Sequence, residues 1–435
     1  MLHVVAEVLR QRRIAGWLVG GSVRDAELGR YSPDLDIVVK GDPREVARAI
    51  ARGLDSPWFM LSERHTAYRV MGPRGHVDIA AVRGDGILDD LAERDFTVNA
   101  MAMPLGVDDL VGETPAIDRR LLLDPFAGLR HLAEKRLVAV SSRIFDDDPL
   151  RMLRAVRFRH VLGLELDGSL EDSIRASVPL LRATAAERIS AEVALTLAEG
   201  RSDEAVARWD DLGLLPAILP PLPSGYAQAA LAPLARLDEI LSSPERWFPG
   251  GDLLAARRAR PVDGALSRPV ALRLAALTRC LTPEAATLAG RTLKLSGDVV
   301  SLLSTMSRAT GTVPFSWPSV RAAGRPGREA VLFLWQAAPW EPEAIVLATA
   351  FEDGLTEPPA PVAAADLLGV WMERAGGNQT PLPVDGNELM AYLGVTSGPK
   401  LGAILREVRL AWEAGDIASR AELLDLATSC SACES

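Results

Sequence analysis

The pattern of apolar residues changes once along this chain, at about Pro149, and this change constrains the fold more than any other feature. Before it, short β-branched runs such as residues 36–39 and 76–79 alternate with stretches of helical spacing. After it, apolar residues recur near helical spacing to the C-terminus. A chain of 435 residues is long enough for several domains. The sequence therefore predicts an α+β head followed by a long all-helical remainder.

Charge is distributed unevenly along the chain. The net charge is −10, yet residues 1–160 contain 24 Lys and Arg against 24 Asp and Glu, so the whole deficit lies beyond them. A nucleic-acid site would therefore be a local Arg cluster rather than a generally positive surface. No apolar run reaches the roughly 20 residues of a membrane span, and the N-terminus lacks a signal-peptide pattern. With only 3 cysteines, the composition favours a cytoplasmic protein without disulfides.

Two short motifs in the head carry side chains suited to nucleotide chemistry. Gly20 and Gly21 separate a strand-like run from a helical one, where free N–H groups and Arg24 could contact a phosphate. Asp34 and Asp36 open the next strand-like run, and alternation places both carboxylates on one face, where they could share divalent cations. Taken singly, each motif is more often an ordinary turn or a solvated strand end.

Further candidates follow in the same head. Asp78 lies in a neighbouring strand-like run, and three carboxylates holding two Mg²⁺ would activate a hydroxyl group and stabilise a leaving pyrophosphate. Arg94 and Asp95, together with Asn99, offer contacts to phosphate and to ribose hydroxyls. The alternative for this second group is a helix cap with an Asp–Arg pair on the surface.

The most informative stretch, residues 145–158, combines acidic and arginine side chains. Asp148 before Pro149 predicts an N-cap and a helix that begins at the proline. Arg151 follows three residues after Asp148 on the same helix face, so the pair could contact the amine and the adjacent ring nitrogen of cytosine or adenine. Arg154 and Arg157 continue this face and could hold phosphates. The alternative is an acidic cap with ordinary ion pairs along the helix.

Together these stretches resemble the class II tRNA nucleotidyltransferase and bacterial poly(A) polymerase family. The resemblance rests on the ordered motifs GGSVRD, DLD, RDFTVNAMAM, DPFAGLRHL, DDDPLRMLRAVRF and ERISAE. It implies an α+β fold, with a mixed-sheet nucleotidyltransferase head over residues 1–140 and a helical neck over 141–200. A helical body over 201–340 and a helical, tRNA-contacting tail over 341–435 would follow. The implied reaction adds CMP or AMP from CTP or ATP to the 3′ end of tRNA, with Mg²⁺ and without a nucleic-acid template.

The same resemblance implies a role for each motif residue. Asp34 and Asp36 correspond to the metal-binding pair, and Asp78 to the third catalytic carboxylate. Asp148 and Arg151 belong to the motif that acts as an amino-acid template for the incoming base. The full set of implied nucleotide-binding residues is Gly21, Arg24, Arg94, Asp95, Asp148, Arg151, Arg154 and Arg157.

Departures from the family pattern keep other functions open. Glu93 stands where the family commonly has an arginine. Only residues 84–88 separate Arg83 from Asp89, where many complete CCA-adding members have a longer flexible loop, and this shortening resembles enzymes restricted to CC or A addition. A poly(A) polymerase is disfavoured by the acidic C-terminal part and by the stretch at 62–70. An inactive RNA-binding protein is disfavoured because all three carboxylates are present.

Overall fold

The computed structural model describes residues 1–30, 33–63, 66–73, 75–105, 119–219, 222–263, 266–311, 317–318, 326–375 and 381–433. The chain divides into two compact units, Met1–Thr184 and Ala185–Ser435. The finer predicted division into neck, body and tail stays a prediction.

The first unit is built around a mixed sheet, as the family resemblance implies. Its strands are β1 (Gly16–Val19), β2 (Leu35–Val39), β3 (Trp58–Ser62), β4 (Ala67–Gly72), β5 (Gly75–Ala81), β6 (Ala102–Leu105), β7 (Arg136–Leu137) and β8 (Glu165–Leu166). Its α-helices, over the described residues, are α1 (Leu2–Arg12), α2 (Gly21–Glu27), α3 (Pro43–Leu54), α4 (Ile87–Ala92), α5 (Gly128–Ala133), α6 (Ile144–Asp147), α7 (Arg151–Leu162) and α8 (Gly168–Ser177). Short 3₁₀ segments span Thr97–Asn99 and Val178–Ala183.

Six strands form the main sheet in the order β3-β4-β5-β2-β1-β6. β2 runs parallel to β5, and the other neighbours are antiparallel. Alternate residues of the central strands, among them Ile37, Val70 and Ile79, are buried in one cluster with Leu9 of α1 and Ile50 of α3. These two helices therefore cover one face of the sheet.

The opposite face of the sheet is apolar only in part. Val19 and Val38 pack against Leu91 of α4 and Ala100 in a second, smaller cluster. On the same face, β2, β5 and β4 carry charged side chains.

One small strand departs from the prediction that no strand follows Pro149. β8 pairs in parallel with β7, because the Glu165 N–H donates to the Lys135 carbonyl at 2.7 Å and the Asp167 N–H donates to the Leu137 carbonyl at 3.1 Å. The apolar spacing carried no signal for a strand of two residues.

The second unit is helical over the residues that the structure describes. Its helices are α9 (Ala186–Ala198), α10 (Ser202–Asp211), α11 (Leu215–Ile218), α12 (Tyr226–Ser242), α13 (Pro244–Trp247), α14 (Gly251–Arg258), α15 (Arg268–Thr278), α16 (Pro283–Thr292), α17 (Gly297–Thr310), α18 (Arg328–Ala337), α19 (Glu341–Ala350), α20 (Val362–Ala375), α21 (Gly386–Leu393), α22 (Pro399–Glu413) and α23 (Arg420–Cys433). Leu389, Ile404 and Leu423 join the last three helices in a cluster of their own. Within the described ranges, no helix has the length and apolar character needed to cross a membrane.

Candidate active site

Two of the three predicted carboxylates are neighbours on the open face of the sheet. Asp36 on β2 is in register with Asp78 on β5, so both side chains point to the same face. Asp34 lies one residue before β2, and its Oδ1 accepts a hydrogen bond from the His76 backbone N–H at 3.2 Å and lies 2.7 Å from His76 Nδ1. The other ring nitrogen of His76 is 3.6 Å from Asp78 Oδ2. His76, which sequence reasoning missed, thus lies between Asp34 and Asp78.

The electrostatics of the carboxylate pair favour a bound cation. Enclosure by protein atoms and the negative charge of Asp78 raise the pKa of Asp36, although its side chain still reaches solvent. Asp78 is also held by Arg69, whose Nε and Nη2 donate to its two oxygens at 2.7 and 2.8 Å. Adjacent carboxylates repel each other, and an all-oxygen donor set suits Mg²⁺. The donor chemistry therefore fits this ion, although among the described residues no three His, Cys, Asp or Glu side chains form a ready metal-ligand group.

The glycine turn between β1 and α2 allows close packing beside Asp36. Gly20 has φ +66° and ψ −132°, a backbone conformation that favours glycine, and a Cβ atom there would also displace the guanidinium end of Arg94. The hydroxyl of Ser22 donates to the Asp34 carbonyl at 3.2 Å and accepts from the Asp36 N–H at 3.0 Å. Ser22 therefore fixes the turn against β2. The position of Ser22 directly after the two glycines could have indicated this role from the sequence.

A buried carboxylate positions Arg94. Asp90 is 1% exposed and accepts hydrogen bonds from Arg83 Nε at 2.8 Å and from Arg94 Nη2 at 3.0 Å. Burial alone would raise the pKa of Asp90, but the two guanidinium groups outweigh burial and lower the pKa below its usual value. The i,i+4 spacing of Asp90 and Arg94 on and after α4 could have revealed this pair.

Asp95 joins the head to helix α7. Its Oδ2 accepts from Nε and Nη2 of Arg154 at 2.9 and 2.7 Å, and its Oδ1 accepts from the Asn99 amide at 3.0 Å and from the Phe96 N–H at 2.8 Å. Burial would raise the pKa of Asp95, yet the Arg154 charge and these hydrogen bonds lower it. Since Asp95 is only 6% exposed, the alternative of a surface pair is wrong.

Three of the predicted nucleotide-binding arginines surround one aromatic ring. The guanidinium carbons of Arg24, Arg154 and Arg157 lie 5.3, 5.2 and 4.5 Å from the centroid of Phe158. Arg24 is buried and also donates to Asn99 Oδ1 at 2.5 Å. The structure thus brings α2 and α7 together around this ring.

Helix α7 begins at Arg151 rather than at the predicted Pro149. Asp148 has extended backbone angles, and its Oδ1 accepts from the Leu150 N–H at 3.2 Å. The Arg151 N–H then bonds to the carbonyl three residues earlier, at 3.1 Å. This tighter first turn delays the α-helix by two residues. Asp148 still makes the type of side-chain contact that was expected of an N-cap, to the N–H two residues on.

Arg151 differs from the other arginines of the site. Its Nη2 donates to the Glu93 carbonyl at 2.8 Å and its Nη1 to the Ile144 carbonyl at 3.5 Å. In the part of the chain that the structure describes, it forms no ion pair with an acidic side chain. Its positive charge is therefore oriented by carbonyl groups without being neutralised by a carboxylate, which suits a side chain that contacts a ligand.

Comparisons with known proteins show which family the chain resembles. A family model described as "Poly A polymerase head domain" matches residues 16–138, and one described as "Probable RNA and SrmB- binding site of polymerase A" matches residues 163–224. A CC-adding tRNA nucleotidyltransferase from Geobacter sulfurreducens is 30% identical over 425 residues, which cover 96% of this chain and 93% of that protein. A CC-adding tRNA nucleotidyltransferase from Synechocystis is 36% identical over 197 residues, which cover 45% of this chain and 44% of that protein.

The solved structures show the same fold. A CCA-adding enzyme in complex with CTP matches with a TM-score of 0.70 at 20% identity, covering 100% of this chain and 95% of that one. Because the similarity to the Geobacter sulfurreducens protein extends over nearly all of both chains, this chain belongs to the class II tRNA nucleotidyltransferase and bacterial poly(A) polymerase family and is a nucleotidyltransferase.

Proposed function

We propose that this protein transfers CMP from CTP to the 3′ end of tRNA, adds the two C residues of the CCA end, and stops before the terminal A. The observation that carries the proposal is the short connection between β5 and α4, where only residues 82–86 separate Ala81 from Ile87. The names of the CC-adding relatives support it. A protein with this substrate works where tRNA is made, so we also propose a cytoplasmic location.

The short connection is held against α4 by its own hydrogen bonds. The backbone N–H and the Nε of Arg83 both donate to Asp90 Oδ1, at 3.3 and 2.8 Å. The Asp85 N–H donates to Asp89 Oδ2 at 2.8 Å. Gly84 between them has φ +66°, and a Cβ atom there would lie 2.6 Å from Asp89. A segment tied down in this way has little freedom to rearrange around a second kind of base, which favours one nucleotide.

The proposed transfer is a displacement at phosphorus. The terminal 3′-oxygen of the RNA forms a bond to the α-phosphorus of CTP, the bond from that phosphorus to the bridging oxygen breaks, and pyrophosphate leaves. The proton of the attacking hydroxyl passes to water. Asp34 and Asp36 would hold Mg²⁺, with Asp78 beside them, and the bound ions would acidify the attacking hydroxyl and compensate the charge of the leaving group.

Selection of the base is assigned to the residues before and at the start of α7. The Asp148 carboxylate would accept from the exocyclic amine of cytosine, and the Arg151 guanidinium would donate to the adjacent ring nitrogen. The side chains proposed to contact the sugar and the triphosphate are Arg24, Arg94, Asp95, Arg154 and Arg157, with Gly21 allowing close approach of the backbone. Several of these arginines already form ion pairs. Because a guanidinium group has five N–H groups, each of them keeps N–H donors for the nucleotide.

The test uses the purified full chain, Mg²⁺, and three tRNA transcripts that end at the discriminator base, at C, and at CC. Each transcript is incubated with one labelled nucleotide at a time. We expect two CMP additions on the first, one on the second, none on the third, and no AMP on any of them. AMP added to the CC end would indicate a complete or an A-adding enzyme, and long AMP tracts a poly(A) polymerase. RNA binding without any incorporation would indicate an inactive binding protein.

A further inference from the structure

Four side chains form one row across neighbouring strands of the main sheet. The register pairs Phe59 on β3 with Arg69 on β4, Arg69 with Asp78 on β5, and Asp78 with Asp36 on β2. Residues directly opposite each other in a sheet point to the same face. The row therefore leads from edge strand β3 to the carboxylate pair, over about 14 Å for three strand spacings.

The outer end of this row is exposed and apolar. Phe59 is 48% exposed, and Met71, two residues along β4 from Arg69 and on the same face, is 38% exposed. Phe96 and Phe158, by contrast, are buried. An exposed aromatic ring in the same row as the carboxylate pair is accessible to a substrate that approaches over this part of the sheet.

The topology of the sheet indicates which substrate approaches from this side. The glycine turn and Arg94 lie next to β1, whereas β5, β4 and β3 lie on the other side of Asp36. In a displacement at phosphorus, the attacking and leaving oxygens are roughly in line on opposite sides. If the nucleotide is held on the β1 side, the RNA 3′ end has to approach over β5 and β4.

We propose that Phe59 stacks against a base near the single-stranded 3′ end of the acceptor RNA, with Arg69 beside the RNA backbone. This inference rests on the proposed function and adds a binding site for the second substrate. Stacking on an aromatic ring tolerates every base, which suits an acceptor whose last base changes after each addition. Arg69 uses one N–H of Nε and one of Nη2 for Asp78 and keeps further donors for a phosphate.

The same strand provides a matched control. Met60 is 52% exposed, next to Phe59, but it pairs with the buried Tyr68 and so points to the opposite face. The variants are Phe59→Ala, Phe59→Tyr, which keeps the ring, and Met60→Ala. For Phe59→Ala, we expect the KM for tRNA ending at the discriminator base to rise about 5- to 150-fold, the range that loss of one stacked base gives. The KM for CTP should stay within about twofold in all three variants.

A second measurement does not depend on catalysis. A tRNA that carries 2-aminopurine at its 3′ end should lose fluorescence when it binds the unmodified protein, Phe59→Tyr or Met60→Ala, but not when it binds Phe59→Ala. If the unmodified protein adds no CMP but shows this quenching, the proposed function fails and the stacking site stands.

The inference is overturned if Phe59→Ala retains both the KM for tRNA and the quenching while CMP is added normally. It is also overturned if Phe59→Ala and Met60→Ala raise the KM equally. In that case, a change in elution volume of both variants on gel filtration would identify β3 as a contact with a second copy of the chain.

Discussion

Replacing Arg154 by methionine should destabilise the first unit by leaving a buried carboxylate without its cation. Asp95 is 6% exposed and would lose two charge-assisted hydrogen bonds, of 2.9 and 2.7 Å. It would keep those from Asn99 and the Phe96 backbone, and the Arg154 side chain is itself 33% exposed. We therefore expect a loss of about 2–4 kcal/mol, below the upper end for a fully buried pair.

The size of this loss should depend on pH. In the parent protein the pKa of Asp95 is lowered, so the stability it contributes is complete above the unfolded pKa of about 3.9 and is lost only as the pH falls through the folded value. In Arg154→Met, burial is the largest remaining influence and should raise the pKa of Asp95 above the unfolded value. The variant therefore loses stability as the pH rises from the unfolded pKa of Asp95 to its raised pKa in the folded variant. The difference in stability between parent and variant should then be larger at pH 8 than at pH 5.

Hydrogen exchange of the β2 and β5 amides measures this effect within one unit, which avoids assuming that a chain with two compact units unfolds in one step. Arg159→Met on the same helix is the control, because its partner Glu165 has a side chain that is 71% exposed, and its loss should cost about 1 kcal/mol or less. Equal losses in the two variants, or a deficit in Arg154→Met that does not change with pH, would refute the reasoning.

Asp34→Ala and Asp36→Ala should each lower CMP incorporation about 1,000-fold or more, because metal binding contributes several kcal/mol to stabilising the transition state. Binding of tRNA, measured by filter binding, should stay unchanged. Retained turnover would contradict the metal assignment. Arg151→Ala should raise misincorporation of UMP or GMP relative to CMP by about 5- to 150-fold in single-nucleotide assays, and unchanged selectivity would exclude the base-template role. Lys400 and Arg406 are cations of helix α22, within the predicted tRNA-contacting tail. Replacing both by alanine should raise the KM for tRNA and not that for CTP if the tail contacts RNA, whereas equal changes in both would indicate a folding role.

The tail prediction is tested with point substitutions because of the structure found there. A truncation after Ala364, which would remove most of the predicted tail, would cut through helix α20 (Val362–Ala375). Trp335 and Arg374 both donate to Glu413 of α22, at 2.9 and 2.6 Å, so removal of the tail would also disturb α18 and α20. Among the described residues, the side-chain partners of Glu413 are Trp335, Arg374 and Arg409, so replacement of Lys400 and Arg406 leaves these contacts in place.

Local sequence patterns predicted the elements that carry the known motifs. β-branched runs correctly placed β2 and β5, and the paired glycines correctly marked the connection from β1 to α2. These signals are local, since alternation and turn chemistry act within a few residues. The predicted start of α7 was two residues early because the Arg151 N–H bonds to the carbonyl three residues earlier, and residue type alone does not distinguish this tight turn from the first turn of an α-helix.

Contacts that depend on strand register were missed, although one of them had a signal. The Arg69–Asp78 pair exists because β4 and β5 form a hairpin in which Gly72 is paired with Gly75, and Phe59 joins the row through the register of β3 with β4. Once residues 72 and 75 are paired, the antiparallel register places Arg69 opposite Asp78, three residues farther along each strand. Asp90 was overlooked for a different reason: its i,i+4 spacing with Arg94 indicates a pair, but this spacing does not distinguish a carboxylate buried between two arginines from one on a solvated helix.

The two units have different proposed roles, because the residues proposed to contact metal, nucleotide and tRNA are divided between them. Every residue proposed to contact metal or nucleotide, from Gly21 to Arg157, belongs to the first unit, as does Phe59. The tail cations, Lys400 and Arg406, belong to the second unit, which contains 22 Lys and Arg against 30 Asp and Glu and so carries most of the negative excess. A negative surface repels RNA except at placed cations, so the second unit should contribute few phosphate contacts and a shallow dependence of tRNA affinity on salt.

The specificity for nucleotide should be insensitive to salt, because the pairs around Asp90 and Asp95 are buried and weakly screened. A steep salt dependence of tRNA binding, lost in the Lys400 and Arg406 double variant, would instead show that a concentrated basic site exists on the tail.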